Sequence, residues 1–423
     1  MTVSPRPGPR PFRYSGLLLL GFGFMGISLL WSIFDAFAPI LLQAGRADYS
    51  SRAGVDGYGL SPGVTGVVMS LDNMAALFIL PYIGALSDRI RTPIGRRKPF
   101  ILAGAPLGAL AFVGIPLALG QPLWVFMATI IAMLLAMDVF RTPVVALMPD
   151  ITPSPKRSLG NSMINLMGGL GGVLGQRVGG QLFDLEPLHA FIFGAIGMLV
   201  GVGVVLLFIR EPTPADAGPA EEEPRLLASL KDVVRDRDPS ALLILAAIFF
   251  WFLGHEALKV NFTSFAVNDL GVSSGEAARA LQYFSGAMLL FAIPGGLLGQ
   301  RLGRRRVILV AIAVLAALLF GCWFLETIAQ ARVMLALIGA AWIVMVVNSL
   351  PMVLDCAPPA RVGTYTGLYY IASQSAAVIG PIAGGQIIQL FGNDYRVIFP
   401  YAALTLLLAG GAMLRVRRGE AIY

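Results

Sequence analysis

Apolar runs interrupted by short polar breaks recur along the whole chain, and each run has the length a helix needs to cross a bilayer core of about 30 Å, roughly 18 to 25 residues. Twelve spans are predicted: 16–42, 62–86, 99–119, 122–148, 159–182, 189–209, 240–267, 276–299, 305–326, 331–355, 362–390 and 395–415. The first follows a Pro- and Arg-rich leader (1–15), is longer than a signal-peptide core and has no convincing cleavage site behind it, so it is expected to be retained. The pattern predicts an all-α, multi-pass membrane protein.

The breaks are not alike. With the amino terminus in the cytoplasm, 23 Lys and Arg fall on the cytoplasmic face. The other face receives five, Arg46, Arg52, Arg279, Arg332 and Arg396. This bias predicts both termini, including the tail 416–423, on the cytoplasmic side of the cell membrane. Composition agrees: 57% hydrophobic and 13% charged residues exclude an ordinary water-soluble domain. The net charge of +7 is then a topological signal, and no nucleic-acid partner is expected. Cys322 and Cys356 are placed for packing rather than pairing. No phosphate-binding loop, zinc-spaced cluster or nucleophile elbow is present, so neither an enzyme nor a cofactor is predicted.

Between spans 6 and 7 the composition shifts to Pro, Ala and Glu, marking a linker over 210–239. Within it Leu226, Leu227, Leu230, Val233 and Val234 share one helical face, as in a short helix lying on the membrane surface. The linker separates two six-span halves, 16–209 and 240–415. Residues 150–183 align without gaps on 355–388 at an offset of 205, pairing Asp150 with Asp355, Gly175 with Gly380, and Gly179-Gly180-Gln181 with Gly384-Gly385-Gln386. Such repeats belong to carriers that rock two related bundles about a central site. Glycines spaced by four in spans 5 and 11 (168, 172; 171, 175, 179; 380, 384) allow close helix approach.

The loop after span 2, "GALSDRIRTPIGRRKPFIL" (84–102), packs five Lys and Arg and one aspartate between two apolar runs. Gly84 is expected to let backbones approach, Asp88 to sit at a helix end, and Arg89, Arg96, Arg97 and Lys98 to face the cytoplasm. A small residue, an acid and a Gly-Arg-Arg turn together offer a salt-bridge latch that forms in one conformation and breaks in another. On Gly84, Leu86, Asp88, Arg89, Gly95, Arg96, Arg97 and Lys98 the chain resembles the major facilitator superfamily, and a second copy stands at Gly296, Leu298, Arg301, Gly303, Arg304 and Arg305. Gln300 replaces the second aspartate. The resemblance implies two pseudo-symmetric six-helix bundles, with spans 1, 4, 7 and 10 lining a cavity. The four residues added between Arg89 and Gly95, with "DVFRTPVVALMPDIT" (138–152) and "WSIFDAFAPILLQ" (31–43), resemble the glycoside/cation symporter group that includes sucrose transporters. That implies sugar uptake driven by a proton or sodium ion.

A charge inside a span costs on the order of 3 kcal/mol and defaults to a functional hypothesis. Asp35, Asp138, Arg141, His255, Glu256, Lys259 and Asn348 fall in the cavity spans, with Asp72 and Asn73 in span 2. Asp138 and Arg141, at i, i+3, read either as a structural ion pair or as a coupling carboxylate beside its modulator; the group's span 4 aspartate matches Asp138. Asp72 reads as a second titrating group or as a helix contact. The sodium-using relatives' span 2 acids fall on Leu80 and Ala76 here, which favours protons. His255, Glu256 and Lys259 read as mutual neutralisation or as a proton relay. Asp35 lies towards the mouth, solvated or ligand-binding. Asn165, Gln282, Tyr283, Gln374, Trp251, Trp342, Tyr369 and Tyr370 can supply sugar hydrogen bonds and platforms. The sequence thus predicts a proton-coupled sugar symporter working as a monomer, with a proton-coupled exporter of amphipathic compounds as the alternative.

Overall fold

The computed structural model describes residues 14–152, 157–209, 211, 238–358 and 361–419. Leader residues 1–13 and most of the linker, its amphipathic stretch included, lie outside these. Ten of the predicted spans are single helices: α1 (Tyr14–Gln43), α2 (Pro62–Arg89), α3 (Lys98–Leu117), α4 (Leu123–Ile151), α7 (Pro187–Phe208), α8 (Ser240–Asp269), α9 (Ser274–Leu302), α10 (Arg304–Cys322), α11 (Ile328–Asp355) and α12 (Val362–Leu390). The last span is a 3₁₀ turn, Tyr395–Val397, running into α13 (Ile398–Leu414). The fifth departs from the sequence reading, because it is built as α5 (Arg157–Leu174), a π turn (Gly175–Gly179) and α6 (Gly180–Leu185). Eleven described helices are therefore long and apolar enough to cross a membrane, one fewer than predicted. The protein is an all-α, multi-pass integral membrane protein.

Start signals are local and repeat between halves. Ser61 caps α2 by accepting from the Val64 amide, with Pro62 in the first turn, where a missing N–H costs nothing. Ser273 caps α9 in the same way through the Glu276 amide. Ser61 and Ser273 stand as far apart as the two motif glycines Gly84 and Gly296, so the caps belong to the repeat.

In the first bundle α1 packs on α5 and α7, and α3 on α4 and α7; in the second, α8 packs on α12 and α13, and α11 on α9 and α10. The bundles meet where α2 crosses α12 and where α5 and α6 cross α9, with α1 and α8 between. Lipid is as apolar as the helices, so close packing rather than water exclusion holds them. Of the predicted glycine rows, 171, 175, 179 packs on α1 along its whole length, since a Cβ on these residues would strike Met25, Leu29 and Ile33 respectively, while Gly168 of the other row meets Ser28. Gly172 of the other row faces open space. Gly175 abuts the Leu29 carbonyl and its repeat partner Gly380 the Leu253 carbonyl. Likewise Gly180 meets the Gly275 carbonyl and Gly385 the Pro62 carbonyl, so one crossing is built twice at the bundle interface.

Candidate functional site

A cavity of about 510 Å³ lies between the bundles, lined from both halves. Besides three serines, its polar lining comprises Trp31 and Asp35 of α1, Asp72 and Asn73 of α2, Arg141 of α4, Gln176 of the π turn, His255, Glu256 and Lys259 of α8, and Gln374 of α12. Eight of these are candidates from sequence. Trp31 and Gln176 are not; nothing in the sequence distinguished Gln176 before the π turn placed it on the wall, a kind of helix defect found at functional sites.

Lys259 Nζ lies 2.9 Å from Asp35 Oδ2 and 3.9 Å from Glu256. The expected ion pair within span 7 is present at the longer distance, and a closer partner comes from the other bundle, because α1 and α8 face each other across the cavity. Asp35 is accordingly neither free at the mouth nor solvated alone. His255 stacks on Trp342 at 4.0 Å between ring centroids and on Phe284 at 5.6 Å, so its ring is fixed as part of the wall.

The Asp138–Arg141 pair expected at i, i+3 is not formed. Arg141 lines the cavity, whereas Asp138 is fully buried and neither of its carboxylate oxygens has a hydrogen-bond partner among the described residues. Asn348 is also outside the cavity: it donates to the Gly295 carbonyl at 2.9 Å and to Val344 at 2.8 Å, tying α11 to α9. Asn165 is exposed on α5 and does not line the cavity. Asn73 reaches the Ala377 carbonyl of α12 at 3.5 Å, while Ser70 beside it donates to the Val378 carbonyl at 2.8 Å. Of the other candidates, Gln282 accepts from Arg177 at 3.3 Å, Trp251 is core, Tyr369 contacts Ser349, and Tyr370 is exposed.

Three cavity-lining residues carry a buried polar atom without a partner among the described residues: Trp31 Nε1, Asp72 Oδ1 and Gln176 Oε1. Leaving such atoms unpaired is costly, so they mark where this wall lacks polar partners.

On the basic face the loop motif closes into a network. Arg97, buried, places Nε 2.7 Å from Asp150, Nη1 2.9 Å from Ser87 and Nη2 2.9 Å from Asp88. Arg96 adds Asp150 at 2.9 Å. In the second half Arg304 pairs with Asp355. Both aspartates were already matched in the repeat, and both arginines in the motif copies; joining the two observations would have found these bridges. Gly95 and Gly303 both need glycine, with φ of 124° and 88°. At Gly95 a Cβ would also strike the Glu211 carboxylate, which accepts from the amides of Arg96, Arg97 and Lys98 and caps α3. Gly84 is corrected: a Cβ there would meet only Thr142 at 3.7 Å, an ordinary contact, so close approach does not require it. Arg89 and Arg301 are exposed.

On the opposite face the bundles are joined. Arg46 donates to Tyr395 at 3.2 Å, Gln43 to Ser264 at 3.3 Å, the Ser50 amide to Asn268 at 2.7 Å, and Asn393 to Asp48 at 2.8 Å. Gln43 and Tyr395 are also hydrogen-bonded to each other. Asp184 of α6 holds Arg279 of α9 at 2.9 Å. Partial desolvation pushes the Asp48 carboxyl up, but hydrogen bonds from Arg46 and Asn393 outweigh it and hold the group below its ordinary range. Burial pushes the Tyr49 hydroxyl up to about 12.

A sequence profile described as Major Facilitator Superfamily matches residues 20–278 and 259–421. The chain is 25% identical to "Tetracycline resistance protein, class H" of Pasteurella multocida over 66% of its length and 65% of that protein's. It is 24% identical to "Multidrug resistance protein MdtG" of Serratia proteamaculans over 95% of this chain and 93% of that one. With "Solute carrier family 45 member 4" of Mus musculus the identity is 30%, over 44% of this chain and 25% of that protein. Its fold resembles the crystal structure of a bacterial homolog to the human lysosomal transporter Spinster, with a TM-score of 0.71, 15% identity, and 96% and 97% of the two chains covered.

Proposed function

The chain belongs to the Major Facilitator Superfamily and is a transporter of small molecules rather than an enzyme, and within that family we propose that it carries a sugar or glycoside together with a cation, by alternating access of the central cavity to the two membrane faces. A proton is the cation in this reading. The basic face is cytoplasmic, both termini lie on it, and the membrane is the cell membrane.

One observation carries the sugar reading. Trp31 Nε1, Asp72 Oδ1 and Gln176 Oε1 approach the cavity from α1, α2 and the π turn as one donor and two acceptors without partners among the described residues. A ring of hydroxyls can satisfy donors and acceptors together, and a buried polar group left unpaired by the wrong ligand discriminates strongly. The volume, about 510 Å³, is within the roughly 300–1,000 Å³ of small-molecule sites. The lengthened loop motif agrees with it.

Asp138 is the coupling carboxylate in this scheme. It is buried without a partner, three residues before Arg141 on the same helix, and a rotamer change that turns the two side chains together exchanges a proton on the carboxyl, released to the cavity, for an ion pair. Asp35, Glu256 and Lys259 form the charge set through which substrate entry is felt by both bundles.

The test is pH-dye recording in proteoliposomes during addition of a panel of mono- and disaccharides, wild type beside Asp138→Asn. Sugar-dependent proton influx that disappears in the variant supports the proposal. No influx with any sugar, with or without sodium, overturns it. A second reading, proton-driven export of amphipathic compounds, is favoured by the near full-length match to MdtG and by the aromatic wall of Phe24, Phe34, Phe262 and Phe284. Proton release driven by an amphipathic compound in the same vesicles would select it.

A further inference from the structure

Gly303 is the single residue between α9 and α10, and with a φ of 88° it turns the chain sharply at the basic face. From that turn the two helices diverge. α9 leans on α11 and on α5 and α6 of the first bundle, whereas α10 leans on α11 and α13. The wedge between them is a groove of about 540 Å³, floored by the small side chains of Ala311, Ala340 and Ala341 and walled by residues from Phe291 to Leu302 on α9 and from Val307 to Val314 on α10. Its lining is apolar except for Arg306. The wall runs eleven residues along α9, about 16 Å at 1.5 Å per residue. That is roughly half of a 30 Å hydrocarbon core, the depth of one leaflet.

An apolar lipid-facing surface by itself selects nothing, since any acyl chain can lie on it. Selection comes from charge at the groove's mouth. Four arginines surround the turn, and two are used by the protein: Arg304 on Asp355, and Arg305 on the carbonyls of Met413 and Leu414 at 3.3 and 2.8 Å. Arg301 and Arg306 are exposed and have no ion-pair or hydrogen-bond partner among the described residues, and Arg306 lines the groove itself. Arg306 also sits in the first turn of α10, where the helix dipole is already positive, so an anion there is favoured twice. Guanidinium binds phosphate bidentately.

We propose that this groove binds one acyl chain of an anionic phospholipid whose phosphate is held by Arg306, with Arg301 adding to the field. The occupant is a lipid because the apolar depth and the cationic mouth match the two ends of one molecule. A basic pocket between transmembrane helices at the headgroup level has this selectivity.

Native mass spectrometry of the purified full-length protein, titrated with phosphatidylglycerol or phosphatidylcholine of the same chains, tests it. One bound phosphatidylglycerol, preferred about fivefold per engaged arginine, is expected. Arg306→Gln reduces the preference to near unity, Ala341→Phe displaces both lipids by filling the floor, and Arg415→Gln, away from the groove, changes neither. Equal retention of the two lipids, or a preference that Arg306→Gln and Arg415→Gln reduce alike, overturns the proposal as nonspecific annular lipid. So does a photo-cross-linker at Val310 that captures a peptide from 210–239 or a second copy of the chain instead of lipid. Unfolding temperatures of the variants identify any that are misfolded, and Arg306→Lys, which keeps charge but not the fork, is expected to retain part of the preference.

Discussion

Asp35 and Lys259 are 2.9 Å apart and stand at equivalent positions of the two halves. Their separation in sequence equals that between Leu29 and Leu253, whose carbonyls receive the repeat-related glycines Gly175 and Gly380. Trp31 and His255 share it too, and all four line or border the same cavity. The pair therefore bridges the bundles on their symmetry axis, where a change in one half reaches the other by the shortest route. Neutralising one partner leaves the other charge unpaired in a low-dielectric cavity. Lys259→Met alone is expected to lower thermal stability by about 1–2 kcal/mol, less than the 3–5 of a fully enclosed pair because both side chains retain cavity exposure. Asp35→Asn with Lys259→Met should recover most of that loss. A double-mutant cycle on unfolding temperatures checks it, and additivity of the two changes would sink the pairing.

Arg97 makes three directed contacts from one guanidinium, to Asp150, Ser87 and Asp88, while almost fully buried. A lysine keeps the charge but cannot present three separate N–H directions. Arg97→Lys should cost about 1–3 kcal/mol and slow transport at least tenfold, whereas Arg96→Lys, which keeps a point charge near Asp150, costs less. Unfolding in detergent beside initial uptake rates measures both. Equal effects of the two substitutions would count against the assignment.

Much of this was legible before any coordinates, and the failures have physical causes. Apolar run length gave ten helices and the last span because the bilayer sets that length. The fifth broke because the glycines that let it press on α1 also permit a π turn, and run length cannot register a single inserted residue. Spacing along one helix predicts Glu256 with Lys259, which meet, and Asp138 with Arg141, which do not; spacing says who can meet, not which rotamers turn together. Asp35 with Lys259 escaped for the opposite reason, since that contact exists only once two bundles face each other. Glu211 on the motif amides had no local signal at all.

Repeat-related glycines offer a test of the bundle interface. At Gly180 and Gly385 a Cβ would press on a backbone carbonyl of the other bundle, at Gly275 and Pro62. Backbone cannot rotate away as a side chain can, so Gly180→Ala and Gly385→Ala should each cost about 1–3 kcal/mol and favour separation of the bundles on that face. Gly411→Ala, which meets nothing within 4 Å, is the control. Spin-label distances between Arg52 and Leu390 should lengthen for the first two variants and not the third.

The closure opposite the basic face has a pH limit set by Asp48. Its carboxyl is held below the ordinary range, against partial desolvation, by hydrogen bonds from Arg46 and Asn393. A depressed value means the stabilisation is complete above the unfolded value of about 4 and is lost as pH falls through the folded one. The same label pair should be constant from pH 7 to about 5 and lengthen only in stronger acid. Asp48→Asn should show the lengthened distance already at pH 7. A distance that changes between pH 5 and 7 would assign the closure to another group.

The three unpartnered atoms on the cavity wall make the sharpest prediction about substrate. If Trp31 Nε1 donates to a hydroxyl, Trp31→Phe keeps an aromatic platform and deletes one donor, and Gln176→Met keeps length and deletes one acceptor. Each lost bond to a neutral hydroxyl is worth about 0.5–1.5 kcal/mol, so KM should rise roughly two- to tenfold with kcat little changed, because the contact is made in the bound state and not only in the moving one. The effect must vanish with the one deoxy-sugar that lacks the hydroxyl in question, since wild type then has nothing left to lose. Uptake kinetics for a full deoxy series against both variants read this directly. A loss of equal size for every deoxy-sugar would mean that the two side chains shape the cavity without binding through these atoms.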